Sequence, residues 1–133
     1  MGGLNFAHIL ALAYSLFFIV SPVVKAGYYP SQALDNFPTS AIDTSFLTHI
    51  IYVLLVPNNV TFKFDISNST ASILSNFTTL HRKSPHLKAV CSISGGGIEP
   101  DPFAIMAAKG SSRGVFIRET IEVACRYGFD GVD

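Results

Sequence analysis

The sequence predicts an α/β fold built on a parallel sheet. Residues 49–56 (HIIYVLLV) and 87–94 (LKAVCSIS) are mostly apolar and lack strict alternation, which indicates strands that are buried on both faces. A segment with helical periodicity follows each of these strands. The order strand, strand, helix, strand, helix, strand is the α/β pattern, although it does not by itself separate an open sheet from the start of a barrel.

The first strand is predicted at residues 25–29 (KAGYY), where Pro30 ends it. Tyr28 and Tyr29 should lie on opposite faces, because side chains alternate along a strand.

Two connections flank the strand at 49–56. Residues 42–46 are expected to form one helical turn with Ser40 as its cap. The stretch 61–66 (TFKFDI) alternates between polar and apolar residues, which predicts a half-exposed strand or an arm outside the sheet.

A first helix is predicted at residues 70–83, with Asn68 or Ser69 capping its start. Its apolar residues recur at helical spacing and should face the core. They are Ile73, Leu74, Phe77 and Leu80.

Two further helices are predicted after the strand at 87–94. The first covers residues 102–108, and the second runs from a cap at Ser111 or Ser112 to Tyr127, with Gly128 as a left-handed cap at its end. The second helix has a stripe of residues that should be buried. They are Phe116, Ile117, Thr120, Ile121 and Ala124.

The composition fits one small domain, and its balanced charges give no net electrostatic attraction to a charged partner. The 133 residues carry nine Lys plus Arg and nine Asp plus Glu. We therefore expect no nucleic-acid partner, because such surfaces are usually basic.

An uncharged run at residues 9–24 indicates a secretory leader. It is shorter than the roughly 20 residues of a membrane span and suits the apolar region of a signal peptide. We expect residues 1–23 to be this signal, giving a secreted protein without stable membrane association. A membrane anchor or a buried amino-terminal helix is the alternative, because no Lys or Arg precedes the run.

Three N-glycosylation sequons support the secretory route. They begin at Asn59, Asn68 and Asn76, and such triplets mark surface segments of secreted proteins. The alternative is chance occurrence in a stretch rich in Ser, Thr and Asn.

The cysteines indicate no metal site. Cys91 and Cys125 are the two cysteines, without Cys-x-x-Cys spacing, and either a bridge or two buried free thiols is possible. We expect neither a metal nor a cofactor. The Gly95-Gly96-Gly97 run lacks the phosphate-binding patterns, which favours a strand-end turn over a ligand loop.

The last strand is predicted to begin at Phe129 and carries two carboxylates, Asp130 and Asp133. Carboxylates at the end of a parallel strand are typical of an active site. By spacing alone, they could also be a turn residue and a terminal residue.

Three segments resemble glycoside hydrolase family 18, and plant class V chitinases and chitinase-like proteins in particular. Residues 26–30 (AGYYP) resemble the first barrel strand of that family. Residues 88–97 (KAVCSISGGG) resemble its third strand with the Ser-x-Gly-Gly signature, and residues 127–133 (YGFDGVD) resemble the opening of the Asp-x-x-Asp-x-Asp-x-Glu signature.

The resemblance implies that residues 24–133 are the amino-terminal part of a (β/α)8 TIM barrel, covering about its first four strands. It implies hydrolysis of β-1,4-linked N-acetylglucosamine polymers, so that chitin or its oligosaccharides are the expected partners. The mechanism implied is retaining and substrate-assisted: the acetamido oxygen of the substrate attacks, and one Glu protonates the leaving oxygen. The oligomeric state is not predicted.

The resemblance also assigns residues to the site. Asp130 and Asp133 match the first two Asp residues of the signature, whereas its third Asp and its Glu would stand two and four residues after Asp133. Residues 1–133 by themselves are therefore expected to be inactive. Ser92 is assigned to substrate binding through the Ser-x-Gly-Gly pattern, although Ser94 satisfies the same pattern shifted by two residues. Tyr28 is expected to line a sugar subsite or to belong to the core.

A chitinase-like protein that binds sugar without cleaving it is the second hypothesis. Loss of the acidic residue would leave a lectin or a receptor ectodomain on the same barrel. A Glu four residues after Asp133 would favour the enzyme, and another residue there would favour the binding protein.

Overall fold

Four parallel strands form one sheet in the computed structural model, which describes residues 23–94 and 100–133. Each strand pairs with the next one along the chain, in the order β1-β2-β3-β4. This arrangement confirms the predicted α/β class. The strands are β1 Ala26–Pro30, β2 His49–Leu55, β3 Lys88–Ile93 and β4 Gly131–Val132.

Helical segments connect the strands. Three are α-helices: α1 Asn68–Thr78, α2 Asp101–Ala108 and α3 Gly110–Tyr127. Three are 3₁₀ helices: Ser31–Asp35, Thr39–Ala41 and Thr79–Arg82. None of the helices in the described ranges is long and apolar enough to cross a membrane. The leader predicted at 1–23 lies outside the described residues, apart from Val23.

One of the two connections around β2 differs from the prediction. The helical turn predicted at 42–46 is absent, because the Asp43 carboxylate accepts the Ser45 N–H at 2.9 Å and forms a local turn instead. Ser40 lies within the preceding 3₁₀ helix. Residues 61–66 form an arm outside the sheet, which is the second of the two predicted alternatives. The arm follows a turn in which Asn58 Oδ1 accepts two backbone N–H groups.

The predicted helix starts are wrong by one or more residues. Ser67 caps α1, with its hydroxyl oxygen accepting the Thr70 N–H at 3.1 Å. Helix α3 starts at Gly110 without a side-chain cap, so that Ser111 and Ser112 lie inside it. Its end agrees with the prediction, because Gly128 has a φ of 77° and closes the helix in the left-handed conformation.

The core lies between the sheet and helices α1 and α3. The apolar stripe predicted for residues 70–83 is confirmed: Leu74 and Phe77 of α1 and Leu80 of the 3₁₀ helix that follows it are buried, and Ile73 is partly buried.

The buried stripe predicted on α3 is partly wrong. Thr120 and Ala124 are buried together with Val123, but Ile117 and Ile121 are 55% and 58% exposed. The face of α3 that contacts the described sheet therefore includes Val123 and is rotated about the helix axis relative to the predicted stripe. No element in the described part of the chain covers the side with Ile117 and Ile121.

Candidate functional site

The carboxyl ends of the four strands lie at one edge of the sheet, because all strands are parallel. Residues predicted for the site reach this edge on two strands. Asp133 N–H donates to Cys91 O at 2.9 Å, and Ile93 N–H donates to Asp133 O at 3.0 Å. These two bonds continue the register of β4 by one residue and place Asp133 beside Ser92, at the strand spacing of about 4.8 Å.

Tyr28, Ser92 and Asp133 share the face of the sheet that no described helix covers. The opposite face is identified by Tyr29, whose ring lies 5.7 Å from the ring of Phe77 in α1. Tyr28 points to the face opposite Tyr29, because side chains alternate along a strand. In the strand register Tyr28 lies level with Gly131, two residues before Asp133. Tyr28 therefore lies about 7 Å nearer the amino ends than Asp133.

The exposures of these side chains differ. Tyr28 is 63% exposed, so the described part of the chain does not use it as a core residue. Ser92 is only 8% exposed. The helix-free face thus combines an aromatic ring, a hydroxyl and a carboxylate, which are groups that can stack on and hydrogen-bond to a sugar.

Ser94 occupies a left-handed position directly after β3. Its φ is 72°, and its N–H donates to Leu55 O at 3.0 Å, so the residue is tied to the end of β2. Glycine adopts this conformation without a steric penalty. A glycine of the Ser-x-Gly-Gly pattern would fit this conformation at position 94, which is consistent with Ser92 as the serine of that pattern. The role of Ser92 in substrate binding stays a prediction. Gly95, Gly96 and Gly97 lie outside the described residues.

We expect Ser94→Gly to raise the free energy of unfolding by about 1 kcal/mol, because it relieves the left-handed strain of a residue with a Cβ. Urea denaturation followed by circular dichroism measures this change. The matched control is Ser75→Gly, at an exposed position inside α1, where the same substitution should cost about 0.5–1 kcal/mol. A loss of stability in both variants would contradict the interpretation.

Asp130 does not lie with Asp133 at the carboxyl edge of the sheet, where the sequence predicts the site. Its N–H donates to Ala89 O at 2.7 Å, and its Oδ2 accepts the Ala89 N–H at 2.8 Å. Ala89 is the second residue of β3, so Asp130 lies at the amino end of the sheet, roughly 10 Å along the strand from Asp133. The two carboxylates are not brought together, and the catalytic role of Asp130 stays a prediction from the family signature.

A lysine and a histidine contact the Asp130 carboxylate. Lys88 Nζ donates to Oδ1 at 3.0 Å, and His81 Nε2 lies 3.1 Å from Oδ2. The His81 N–H is not aligned for a hydrogen bond, so this contact is electrostatic. Partial burial by itself would raise the pKa of Asp130, but the bonds from Lys88 and Ala89 and the charges of His81 and Lys88 lower it overall. Asp130 is therefore ionised at neutral pH.

The contacts of His81 and Lys88 were not predicted from the sequence. They join Asp130 to residues more than 40 positions earlier, and no motif spans that separation. Only the pairing of β3 with β4 reveals them.

The two cysteines are both free. Cys91 is buried in β3, and burial raises the pKa of its thiol to about 11, which leaves it unreactive near neutral pH. Cys125 is exposed, so of the two alternatives the free thiols are present, but only one of them is buried.

The three sequon asparagines, Asn59, Asn68 and Asn76, are all exposed. Asn68 and Asn76 lie on α1, and Asn59 lies in the turn after β2. Glycosylation itself stays a prediction, although the surface position that it requires is present at each residue.

The chain is similar to a known family along nearly its whole described length. Residues 24–133 match the family model described as "Glycosyl hydrolases family 18". A class V chitinase of Medicago truncatula (CHIT5a) is 40% identical over 111 residues, which cover 83% of this chain and 28% of that protein.

Two solved structures have the same arrangement. The chitinase-like agglutinin of Robinia pseudoacacia superposes with a TM-score of 0.77 at 36% identity. A mutant GH18 chitinase of Cycas revoluta in complex with (GlcNAc)4 superposes with a TM-score of 0.78 at 34% identity. In both cases 84% of this chain and 33% of the solved chain are covered. The chain thus spans about a third of the proteins that it matches.

Proposed function

Because the chain belongs to glycosyl hydrolase family 18, we propose that it is part of a chitinase that cleaves β-1,4-linked N-acetylglucosamine polymers. The observation that carries the proposal is the position of Asp133. Its backbone is paired to β3 at the carboxyl edge of the sheet, beside Ser92 and on the face without helices. In a barrel of this type, the active site lies at the carboxyl ends of the strands.

The proposed mechanism gives each residue a separate task. The acetamido oxygen of the substrate attacks its own anomeric carbon, and a Glu four residues after Asp133 protonates the leaving oxygen. Asp133 hydrogen-bonds to the next Asp of the signature, which orients the acetamido group. Tyr28 offers its ring to a sugar face.

The described glutamates do not replace the acid. Glu119 pairs with Lys63 at 3.1 Å and Glu122 pairs with Arg126, both on the surface of α3. We therefore propose that residues 1–133 alone do not turn over chitin and that cleavage requires the Glu of the signature.

The chitinase proposal is tested by incubating the full-length gene product with N-acetylglucosamine tetramer, following product length by mass spectrometry and the anomeric configuration by proton NMR. Release of shorter oligomers that retain the anomeric configuration supports it. Binding of the tetramer without cleavage would instead support a sugar-binding protein. The similarity to the Robinia agglutinin favours this second candidate, and a residue other than Glu four positions after Asp133 would accompany it.

We also propose that the protein is secreted and glycosylated. The exposed positions of Asn59, Asn68 and Asn76 support this. Endoglycosidase treatment of the protein from a eukaryotic host should increase its electrophoretic mobility. An unchanged mobility would refute glycosylation.

A further inference from the structure

Three elements meet around the Asp130 carboxylate at the amino edge of the sheet. His81 belongs to the 3₁₀ helix that follows α1, Lys88 and Ala89 begin β3, and Asp130 directly precedes β4. We call these four residues the amino-edge cluster. Asp130 is the least exposed of the three titratable side chains, at 23% against 33% for His81 and 55% for Lys88.

The link between Asp130 and Ala89 is reciprocal. The Asp130 main chain donates to Ala89 O, and its side chain accepts from Ala89 N. Ala89 is fully buried, so that loss of the carboxylate would leave a buried N–H without this acceptor. A buried donor left in this way costs more than the net gain from making an ordinary hydrogen bond.

Strand β4 is only two residues long, so few backbone hydrogen bonds hold its register against β3. A slip of one residue against β3 would move every side chain of β4 to the other face of the sheet. Asp133 would then point toward the helix layer. The amino-edge cluster pairs β4 with β3 at Asp130, three residues before the carboxylate that the proposed function uses.

We propose that Asp130 is a positioning residue, whose carboxylate locks the register of β4 and thereby presents Asp133 at the carboxyl edge. The part of this proposal that concerns Asp133 rests on the proposed function. The lock itself is independent of that function, because it is made of contacts within the chain. Ala89 supplies the directional bond, Lys88 donates a further hydrogen bond to the carboxylate, and His81 Nε2 lies 3.1 Å from it.

Hydrogen exchange of the full-length protein tests the lock directly. In Asp130→Ala, we expect the amides of residues 131–133 to exchange about tenfold faster, because the acceptor of a buried N–H is lost. Amides of β1 and β2 should keep their rates. Asp130→Asn should restore most of the protection, because its amide oxygen can still accept the Ala89 N–H.

The matched control is Lys63→Met. It removes the Lys63–Glu119 pair between the arm and α3, which shares no residue with the amino-edge cluster, and it should leave exchange at 131–133 unchanged. Unchanged exchange at 131–133 in Asp130→Ala would overturn the lock. Equal acceleration in β1, β2 and β4 would also overturn it, because Asp130 would then act on global stability.

Turnover of N-acetylglucosamine tetramer tests the consequence for Asp133. Asp130→Ala should lower kcat about tenfold with little change in KM, and Asp130→Asn should recover most of the loss. Faster exchange at 131–133 with wild-type kcat would overturn the positioning role. A wild-type protein that neither cleaves nor binds the tetramer would sink the proposed function, while the exchange result would still decide the lock.

Discussion

Phe77→Ala should lower the free energy of unfolding by about 3–5 kcal/mol, the usual cost of truncating a buried Phe. Phe77 is fully buried. Its ring lies 5.7 Å from Tyr29, 5.5 Å from Tyr52 and 6.0 Å from Phe129, measured between ring centroids. The variant therefore loses three aromatic contacts at once and leaves a cavity between α1 and the sheet. A domain with about 5–15 kcal/mol of stability would keep little of it.

Chemical denaturation of the full-length protein measures this loss. Phe46→Ala is the matched control, because Phe46 is 57% exposed and the same truncation should change the stability by about 0.5 kcal/mol or less. If Phe77→Ala cost no more than Phe46→Ala, the packing of α1 against β1, β2 and Phe129 would be wrong.

The strands and the stripe of α1 could be predicted because local sequence determines them. An apolar run such as 49–56 has to be buried on both faces wherever the chain places it. The spacing of Leu74, Phe77 and Leu80 leaves one apolar side on α1 and the 3₁₀ helix that follows it. Gly128 was predictable for a similar reason, because a glycine after a helix adopts the left-handed cap at little cost.

The face of α3 could not be predicted in the same way. Apolar residues occur on more than one side of this helix, and the stripe through Ile117 and Ile121 is as periodic as the one that includes Val123. Contact with the sheet selects among these faces, and that contact is a tertiary property. The cap of α1 was misplaced because Ser67, Asn68 and Ser69 are all good capping residues.

The candidate site was half predictable. The pairing of Asp133 with β3 follows from the strand that the sequence predicts from Phe129 onward. The family signature identified Asp133 as a candidate site residue. The motif also pointed to Asp130, although three residues is an odd separation and places two side chains on opposite faces of a strand. The partners that hold Asp130, which include Lys88 and His81, come from other elements and carry no local signal.

Asp133→Asn should have the largest effect on activity. Under the proposed function, this carboxylate supports the next Asp of the signature while charge develops in the transition state, and removing one preorganised electrostatic group costs about 10²–10³-fold in kcat. Asparagine has nearly the same size, and the backbone bonds of Asp133 to Cys91 and Ile93 do not use the side chain. The free energy of unfolding should therefore stay within about 0.5 kcal/mol of the wild-type value.

Steady-state hydrolysis of N-acetylglucosamine tetramer and a denaturation curve together check this prediction. Asp43→Asn is the control, because Asp43 contacts Ser45 in the connection before β2 and its amide can keep that bond; its kcat should equal that of the wild type. A wild-type kcat in Asp133→Asn would show that the Asp133 carboxylate is not part of the active site. In a sugar-binding protein without turnover, the same substitution would act on tetramer affinity alone, because there is then no transition state for the carboxylate to stabilise.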